Sequence, residues 1–200
     1  MSPNNIESRN FGKDFEKIAS LKIIKYFQLR LKKSNIETLA NLINFIFPIC
    51  KQYRIKFIIN DQPKIAKKFN LDGVHVGKND PSIHECRQIL GKNKIIGKSC
   101  YSSNSLANKS QILGANYIAF GSFFHTKTKK NTNKISVPNI ISWNKKKCIP
   151  SVGIGGINYR NFFKISMLNL DFIALSSAIW KSKPRPDLSL KKIKNLIDNF

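Results

Sequence analysis

The stretches Arg54-Ile-Lys-Phe-Ile-Ile-Asn-Asp61 and Gly73-Val-His-Val-Gly-Lys-Asn-Asp80-Pro81 decide how this chain is read. Each is a short apolar run that closes on polar residues and an aspartate. Such runs, bounded by Gly, Asn or Asp, are the pattern of strands buried on both faces, as in parallel sheets. Working outward, the pattern recurs at 23–29, 94–97, 116–120, 149–154 and 171–176, which with 55–60 and 73–76 makes seven strands.

Helix signals fill the intervals. Ser34-Asn-Ile-Glu37 reads as a capping box opening a helix to about Tyr53. Asp80 stands where an N-cap would precede Pro81, and Gly91 closes that helix after Leu90. Gly114 ends a helix from about Ser103 to Leu113, Asn158 caps one through Met167, and Asp187 caps the last, Leu188 to Asn199. Strand alternating with helix predicts an α/β fold, a TIM (β/α)8-type barrel. Seven visible strands are one short of that closure. Residues 1–20 offer a helix, Phe11 to Ala19, with no strand ahead of it. The expectation is therefore a single barrel domain over residues 1–200, its first strand missing by N-terminal truncation. An open sheet is the alternative, because a seven-stranded barrel leaves two strand edges unpaired.

Composition narrows the function classes. With 35 Lys and Arg against 11 Asp and Glu the net charge is +24, a balance that suits nucleic acid, acidic membranes or anionic substrates. The lysines are spread along the whole chain beside abundant Asn, Ile and Phe, so nucleic acid is not expected as a partner. Leu39 to Cys50, the longest near-apolar stretch, is interrupted by Asn41, Asn44 and Pro48, and no membrane span is predicted. Cys50, Cys86, Cys100 and Cys148 form no C-x-x-C pair, and His75, His84 and His125 show no zinc-type spacing. Free thiols in a reducing cytoplasm fit this usage. Oligomeric state is not read from the sequence.

The polar clusters fall just after strands, where barrel active sites are built. Asp61 and Asp80 leave consecutive strands, and two sparse hard-oxygen ligands suit a Mg²⁺ that keeps positions open for phosphate. Turn formation at Asp61 and helix capping at Asp80 are the structural alternatives. In Gln28-Leu29-Arg30-Leu31-Lys32 the residues Gln28, Arg30 and Lys32 share a face, offering a fork and a point charge to phosphate oxygens. Ser99 follows Gly97-Lys98, and Thr126-Lys127-Thr128-Lys129 forms a basic, hydroxyl-rich loop. Gly153-Ile-Gly-Gly156 on the penultimate strand and Ser176-Ser177 after the last match the place where barrels bind phosphate. His75 reads as structural, packed in the barrel wall or bonded to a neighbour; His84 reads as surface. No Ser-His-Asp or Cys-His arrangement is evident.

These residues in this order resemble the thiamine-phosphate synthase family, from about Tyr26 to Trp180. The matching pieces are Gln28 to Lys32, Ile59-Asn60-Asp61, Asp72 to Gly77 with Asp80, Ile96 to Ser99, Gly121 to Lys129, Gly153 to Ile157 and Asp171 to Ser177. The resemblance implies a transferase that joins an aminopyrimidine diphosphate to a thiazole phosphate, giving thiamine phosphate and diphosphate. It implies Mg²⁺ on Asp61 and Asp80, and the pyrimidine diphosphate among Gln28, Leu29, Arg30, Leu31, Lys32, Asn60, Ser99 and Lys129. Thr126, Lys127, Thr128, Gly156, Ser176 and Ser177 would hold the thiazole phosphate. It further implies a dissociative mechanism in which diphosphate leaves before the thiazole nitrogen attacks. His125 stands where the family usually has Pro, and Lys78 where it often has Gln. A thiazole tautomerase-like relative, a basic RNA-binding module and an inactive remnant are the other readings. The tautomerase would want a histidine where this chain has Ser122.

Overall fold

Seven parallel strands alternate with helices in the computed structural model, which describes residues 1–3, 6, 8–31, 34–125, 135–183 and 185–199. In chain order the elements are α1 (Ser8–Ser20), β1 (Tyr26–Leu29), α2 (Ile36–Gln52), β2 (Lys56–Asn60), α3 (Pro63–Lys68) and β3 (Gly73–Val76). They continue with α4 (Ile83–Leu90), β4 (Ile95–Tyr101), α5 (Asn104–Ile112), β5 (Tyr117–Phe120) and α6 (Val137–Lys146). The last are β6 (Ser151–Ile154), α7 (Phe163–Ser166), β7 (Phe172–Ala174), α8 (Ser177–Trp180) and α9 (Pro186–Asp198).

Strand order follows chain order, β1 to β7, every neighbouring pair parallel. The sheet curls until its ends approach. The rings of Tyr26 on β1 and Phe172 on β7 lie 5.4 Å apart, edge to face. At the other end of this seam, residues 1 and 2 bridge the two strands. Ser2 N donates to Gln28 O at 2.8 Å, and the amino group of Met1 donates to Leu175 O at 3.0 Å. Ser176 Oγ donates to Ser2 O at 2.9 Å, and Trp180 Nε1 to Met1 O at 2.8 Å. The seven strands and the TIM-barrel-like architecture thus agree with the sequence reading, and β1 and β7 do not pair with each other.

Alternation along each strand divides two apolar spaces. Gln28, Ile58, His75, Ile95, Tyr117, Ala119, Val152 and Ile154 point inward and line a cavity of about 360 Å³. Their neighbours Phe27, Leu29, Phe57, Ile59, Val74, Ile96, Ile118 and Phe120 are buried beneath the helices. Phe15 and Phe27 pack with centroids 4.6 Å apart, Phe27 and Phe57 5.5 Å, and Phe11 and Trp180 4.6 Å, tying α1 to the seam. Each such side chain contributes roughly 1.5–3 kcal/mol when fully buried.

Several local boundaries differ from expectation. The N-cap of α2 is Asn35, whose side chain accepts from Thr38 N, so the Ser34 capping box does not form. Ser82 caps α4 in a reciprocal box with Glu85, which removes Asp80 from capping. Asn158 opens a turn rather than a long helix, accepting from Arg160 N at 2.9 Å, and α7 starts only at Phe163. Asp187 lies inside α9 after the N-cap Arg185, to which it is paired at 2.8 Å. Strand β1 begins at Tyr26; Ile23 and Ile24 instead pack against a small cluster of Ile18, Ile179, Leu190 and Ile193. All four cysteines are free, with Cys148 exposed. No described helix is long and apolar enough to cross a membrane.

Candidate active site

A wholly parallel sheet puts every strand exit at one end, and the polar residues gather there. The two aspartates are brought together by register: Asn60 on β2 pairs with His75 on β3, so the segments leaving both strands start side by side. Asp61 N donates to His75 O at 2.9 Å, and Asp61 takes a left-handed backbone conformation at φ 61°. That region is sparsely used by residues other than glycine, with aspartate among the more tolerant. It turns the chain sharply out of the strand. Asp80 folds back over its own loop, its Oδ2 accepting from Gly77 N at 2.6 Å. The two carboxyl groups are then hydrogen-bonded to each other.

One proton shared by this pair explains their opposite behaviour. Burial, then the hydrogen bond and charge of Asp80, push the Asp61 carboxyl up to about 7, while Asn60 and Arg30 act the other way. Burial also acts to raise Asp80, but the Asp61 hydrogen bond, the Gly77 amide and the charge of Lys98 hold it below the ordinary carboxylate value. Lys98 Nζ donates to Gly77 O at 2.5 Å, which fixes its cation beside the Asp80 loop. The sequence reading missed Lys98. It points away from the barrel axis, and only the Gly77 contact brings it to the site. Lys78, the residue expected near this loop, is exposed.

Gln28 Nε2 donates to Asn60 Oδ1 at 2.6 Å, joining two expected site residues on β1 and β2. Arg30 adds its charge to the field at Asp61, while its backbone is held by Ser2: Arg30 N donates to Ser2 Oγ at 2.9 Å. Leu29 and Leu31 do not join the polar wall. Leu29 is buried beneath the helices and Leu31 packs against the same core, on the face opposite Gln28 and Arg30.

Ser99 lies within β4, which runs on to Tyr101, not beyond a strand ending at 97. Its Oγ is 2.8 Å from His75 Nε2, and His75 Nδ1 is 2.8 Å from Tyr117 Oη. Ser99, His75 and Tyr117, from three different strands, thus form a hydrogen-bonded row that is neither a Ser-His-Asp nor a Cys-His arrangement. The third member is a phenol. Burial raises the proton affinity of Tyr117, so it carries no charge to stabilise an imidazolium, and Ser99 is not activated as a nucleophile. His75 is bonded to its neighbours, and His84 is exposed on α4, both as read from the sequence.

At the far side of the mouth, Gly155 and Gly156 both have positive φ, 99° and 71°. A Cβ on Gly155 would meet Ser122 Oγ at 2.0 Å, and one on Gly156 would meet Phe124 Cβ at 2.7 Å. The glycines thus let the loop after β6 close against the segment leaving β5, where Phe124 N donates to Gly155 O at 3.0 Å. Ser176 spends its hydroxyl hydrogen on Ser2 O, and Ser177 is exposed at the start of α8. Lys32, Thr126, Lys127, Thr128 and Lys129 lie outside the described residues.

The fold is that of a TIM-barrel enzyme, and its polar side chains gather at the C-terminal ends of the strands, the end where such barrels carry their chemistry. The sequence matches the thiamine monophosphate synthase family over residues 2–179. The thiamine-phosphate synthase of Pelagibacter ubique (strain HTCC1062) is 41% identical over 195 residues, covering 97% of this chain and 94% of that one. The Fusobacterium nucleatum thiamine-phosphate synthase is 33% identical over 192 residues, covering 94% and 91%. Thiamine phosphate pyrophosphorylase from Pyrococcus furiosus has the same fold, with a TM-score of 0.85 at 23% identity over 99% of this chain and 93% of that one. The chain belongs to the thiamine monophosphate synthase family, and is with it a transferase of thiamine biosynthesis.

Proposed function

We infer that this protein condenses 4-amino-2-methyl-5-(diphosphooxymethyl)pyrimidine with thiazole phosphate, in a Mg²⁺-dependent reaction that gives thiamine phosphate and diphosphate. The observation that carries the reading is the hydrogen-bonded Asp61–Asp80 pair at the barrel mouth. Two carboxyl groups held this close share a proton, and a cation that takes the place of that proton would find two oxygen donors side by side. The donor set fits Mg²⁺: hard oxygens only, and no group of three or more His, Cys, Asp or Glu among the described residues that would hold a metal by protein ligands alone. Such an ion leaves positions for substrate oxygens, and when bound it supplies charge stabilisation to the diphosphate.

The chain's own residues do the rest. Arg30 and Lys98 place fixed cations around the carboxylate pair, where a departing diphosphate would gather its charge. The Gln28–Asn60 amide pair lines the wall beside it and presents directional donors and acceptors to a pyrimidine ring. Gly156, Ser176 and Ser177 are assigned to the thiazole phosphate, and Lys32, Thr126, Lys127, Thr128 and Lys129 to the two substrates, by family resemblance.

A dissociative course suits this set. The bond from the pyrimidine methylene carbon to the diphosphate oxygen breaks first, and diphosphate keeps the electron pair. The lone pair of the thiazole nitrogen then captures the methylene cation. Such a reaction needs charge stabilisation and two substrates in register, not a protein nucleophile, in accord with the unactivated Ser99.

The test is to mix the purified protein with both phosphorylated substrates, with and without Mg²⁺, and to measure thiamine phosphate and diphosphate. Equimolar appearance of both, dependent on the metal, is expected; thiamine phosphate formed equally well in excess chelator would remove the metal assignment, and none under any condition would remove the activity.

A further inference from the structure

The row of inward residues on β3, β4 and β5 runs His75, Gly97, Tyr117, in direct register. Two strand spacings, roughly 9.6 Å, separate β3 from β5. Tyr117 nevertheless reaches His75, because the intervening position has no side chain. A Cβ on Gly97 would meet Tyr117 Cζ at 1.9 Å and its Oη at 2.4 Å. The two rings lie 5.5 Å apart and nearly parallel, at 24°. Gly97 is thus a passage through which a phenol addresses a histidine two strands away.

We propose that Tyr117 and His75 are positioning residues that fix the Ser99 hydroxyl as a hydrogen-bond donor aimed at the pyrimidine substrate. Proton counting carries the argument. The Tyr117 hydroxyl sits inside the barrel, and its sole hydrogen-bond partner among the described residues is His75 Nδ1. A neutral phenol has one hydrogen; were Nδ1 to donate instead, that hydrogen would be buried without an acceptor. Tyr117 therefore donates, His75 carries its proton on Nε2, and Nε2–H donates to Ser99 Oγ. The hydrogen of Ser99 is left with no acceptor among the described residues. It is a donor awaiting an acceptor from the substrate, either a ring nitrogen or a diphosphate oxygen. A serine alone would present donor or acceptor indifferently; this relay sets the polarity.

The proposal rests on Ser99 belonging to the pyrimidine diphosphate site, and its test separates the two. Ring ¹⁵N shifts of the full-length protein report the imidazole tautomer whether or not thiamine phosphate is made. With three histidines in the chain, His84→Gln and His125→Gln variants assign the His75 signals. The expected spectrum has Nδ1 unprotonated and Nε2 protonated. Tyr117→Phe, which keeps the ring, should move His75 toward a mixture of tautomers. It should also raise KM for the pyrimidine diphosphate by about tenfold while leaving KM for thiazole phosphate unchanged. Gly97→Ala, which displaces the Tyr117 ring and its hydroxyl while deleting no polar group of the relay, should reproduce both effects and supplies the answer where Tyr117→Phe folds poorly. Inhibition by inorganic diphosphate and by the diphosphate-free hydroxymethylpyrimidine identifies the acceptor, since one of the two should weaken in the Tyr117→Phe variant. A wild-type His75 protonated on Nδ1 overturns the proposal. So does a folded Tyr117→Phe protein with unchanged ring shifts, unchanged KM and unchanged inhibition by both compounds.

Discussion

Asp61 and Asp80 are hydrogen-bonded to each other across the exits of two neighbouring parallel strands, and Asp61 holds their shared proton. The carboxyl of Asp61 is displaced upward, to about 7, so the folded state binds this proton more tightly than the unfolded chain. Stability from this group is present at pH below its ordinary value and is lost as pH rises through about 7. Asp80 is displaced downward and has the opposite sign: its contribution is present above its ordinary value and lost as pH falls through its folded one. Asp61→Asn should therefore be more stable than wild type at pH 8, by about 1–2 kcal/mol after allowing for solvent screening. Near pH 5 the two should melt together. Thermal unfolding at both pH values checks this, and an Asp61→Asn variant no more stable at pH 8 than wild type would refute it. Loss of synthesis in the same variant is expected.

Mg²⁺ should raise the melting temperature at pH 8 and have little effect at pH 5.5, where Asp61 keeps its proton. Differential scanning fluorimetry with a Mg²⁺ titration gives the answer, with Asp80→Asn as the comparison. Stabilisation of equal size in that variant would place the ion elsewhere.

Removing the cation fixed at Gly77 O tests the electrostatics without touching a carboxylate. Lys98→Met should raise KM for the pyrimidine diphosphate by about tenfold. Asp80 would lose a charge that holds its proton affinity down, so the acid limb of the activity profile should move to higher pH. A pH–rate profile matching wild type would show that Lys98 serves the loop alone.

Arg87 is a structural contrast. Its guanidinium donates to the carbonyls of Gly91, Lys92, Lys94 and Gly114 and to Asn116 Oδ1, joining the loops at the opposite end of the barrel from the site. Arg87→Ala should cost about 2–3 kcal/mol of stability in denaturant unfolding. Arg87→Lys should recover little, since a point charge cannot replace the planar fork. Both should leave KM for either substrate unchanged; a rise in KM would mean that the lower loops communicate with the mouth.

Strands and their order were legible because each signal is local. A short apolar run closed by Gly, Asn or Asp at Phe57–Asn60 or Val74–Val76 has one comfortable place, a strand covered on both sides. The carboxylate pair was legible for a related reason: consecutive parallel strands must exit together, so Asp61 and Asp80 had to be near each other. Caps were less secure. Ser34, Asp80, Asn158 and Asp187 all have cap chemistry, yet the structure uses Asn35, Ser82 and Arg185 as N-caps. A side chain that can cap can also bond a loop amide, as Asp80 does with Gly77.

The sequence by itself determined a parallel α/β chain with acidic, amide and basic residues at its strand exits, since alternation and punctuation act over a few neighbouring residues. Only the tertiary structure decided which of them meet. The Ser99–His75–Tyr117 relay, the passage over Gly97, the turn of Lys98 toward Gly77 and the bridging of β1 and β7 by Met1 and Ser2 all depend on strand register and sheet curvature. Those are settled by how the whole sheet packs against its helices, and a one-residue slip would send each side chain to the opposite face.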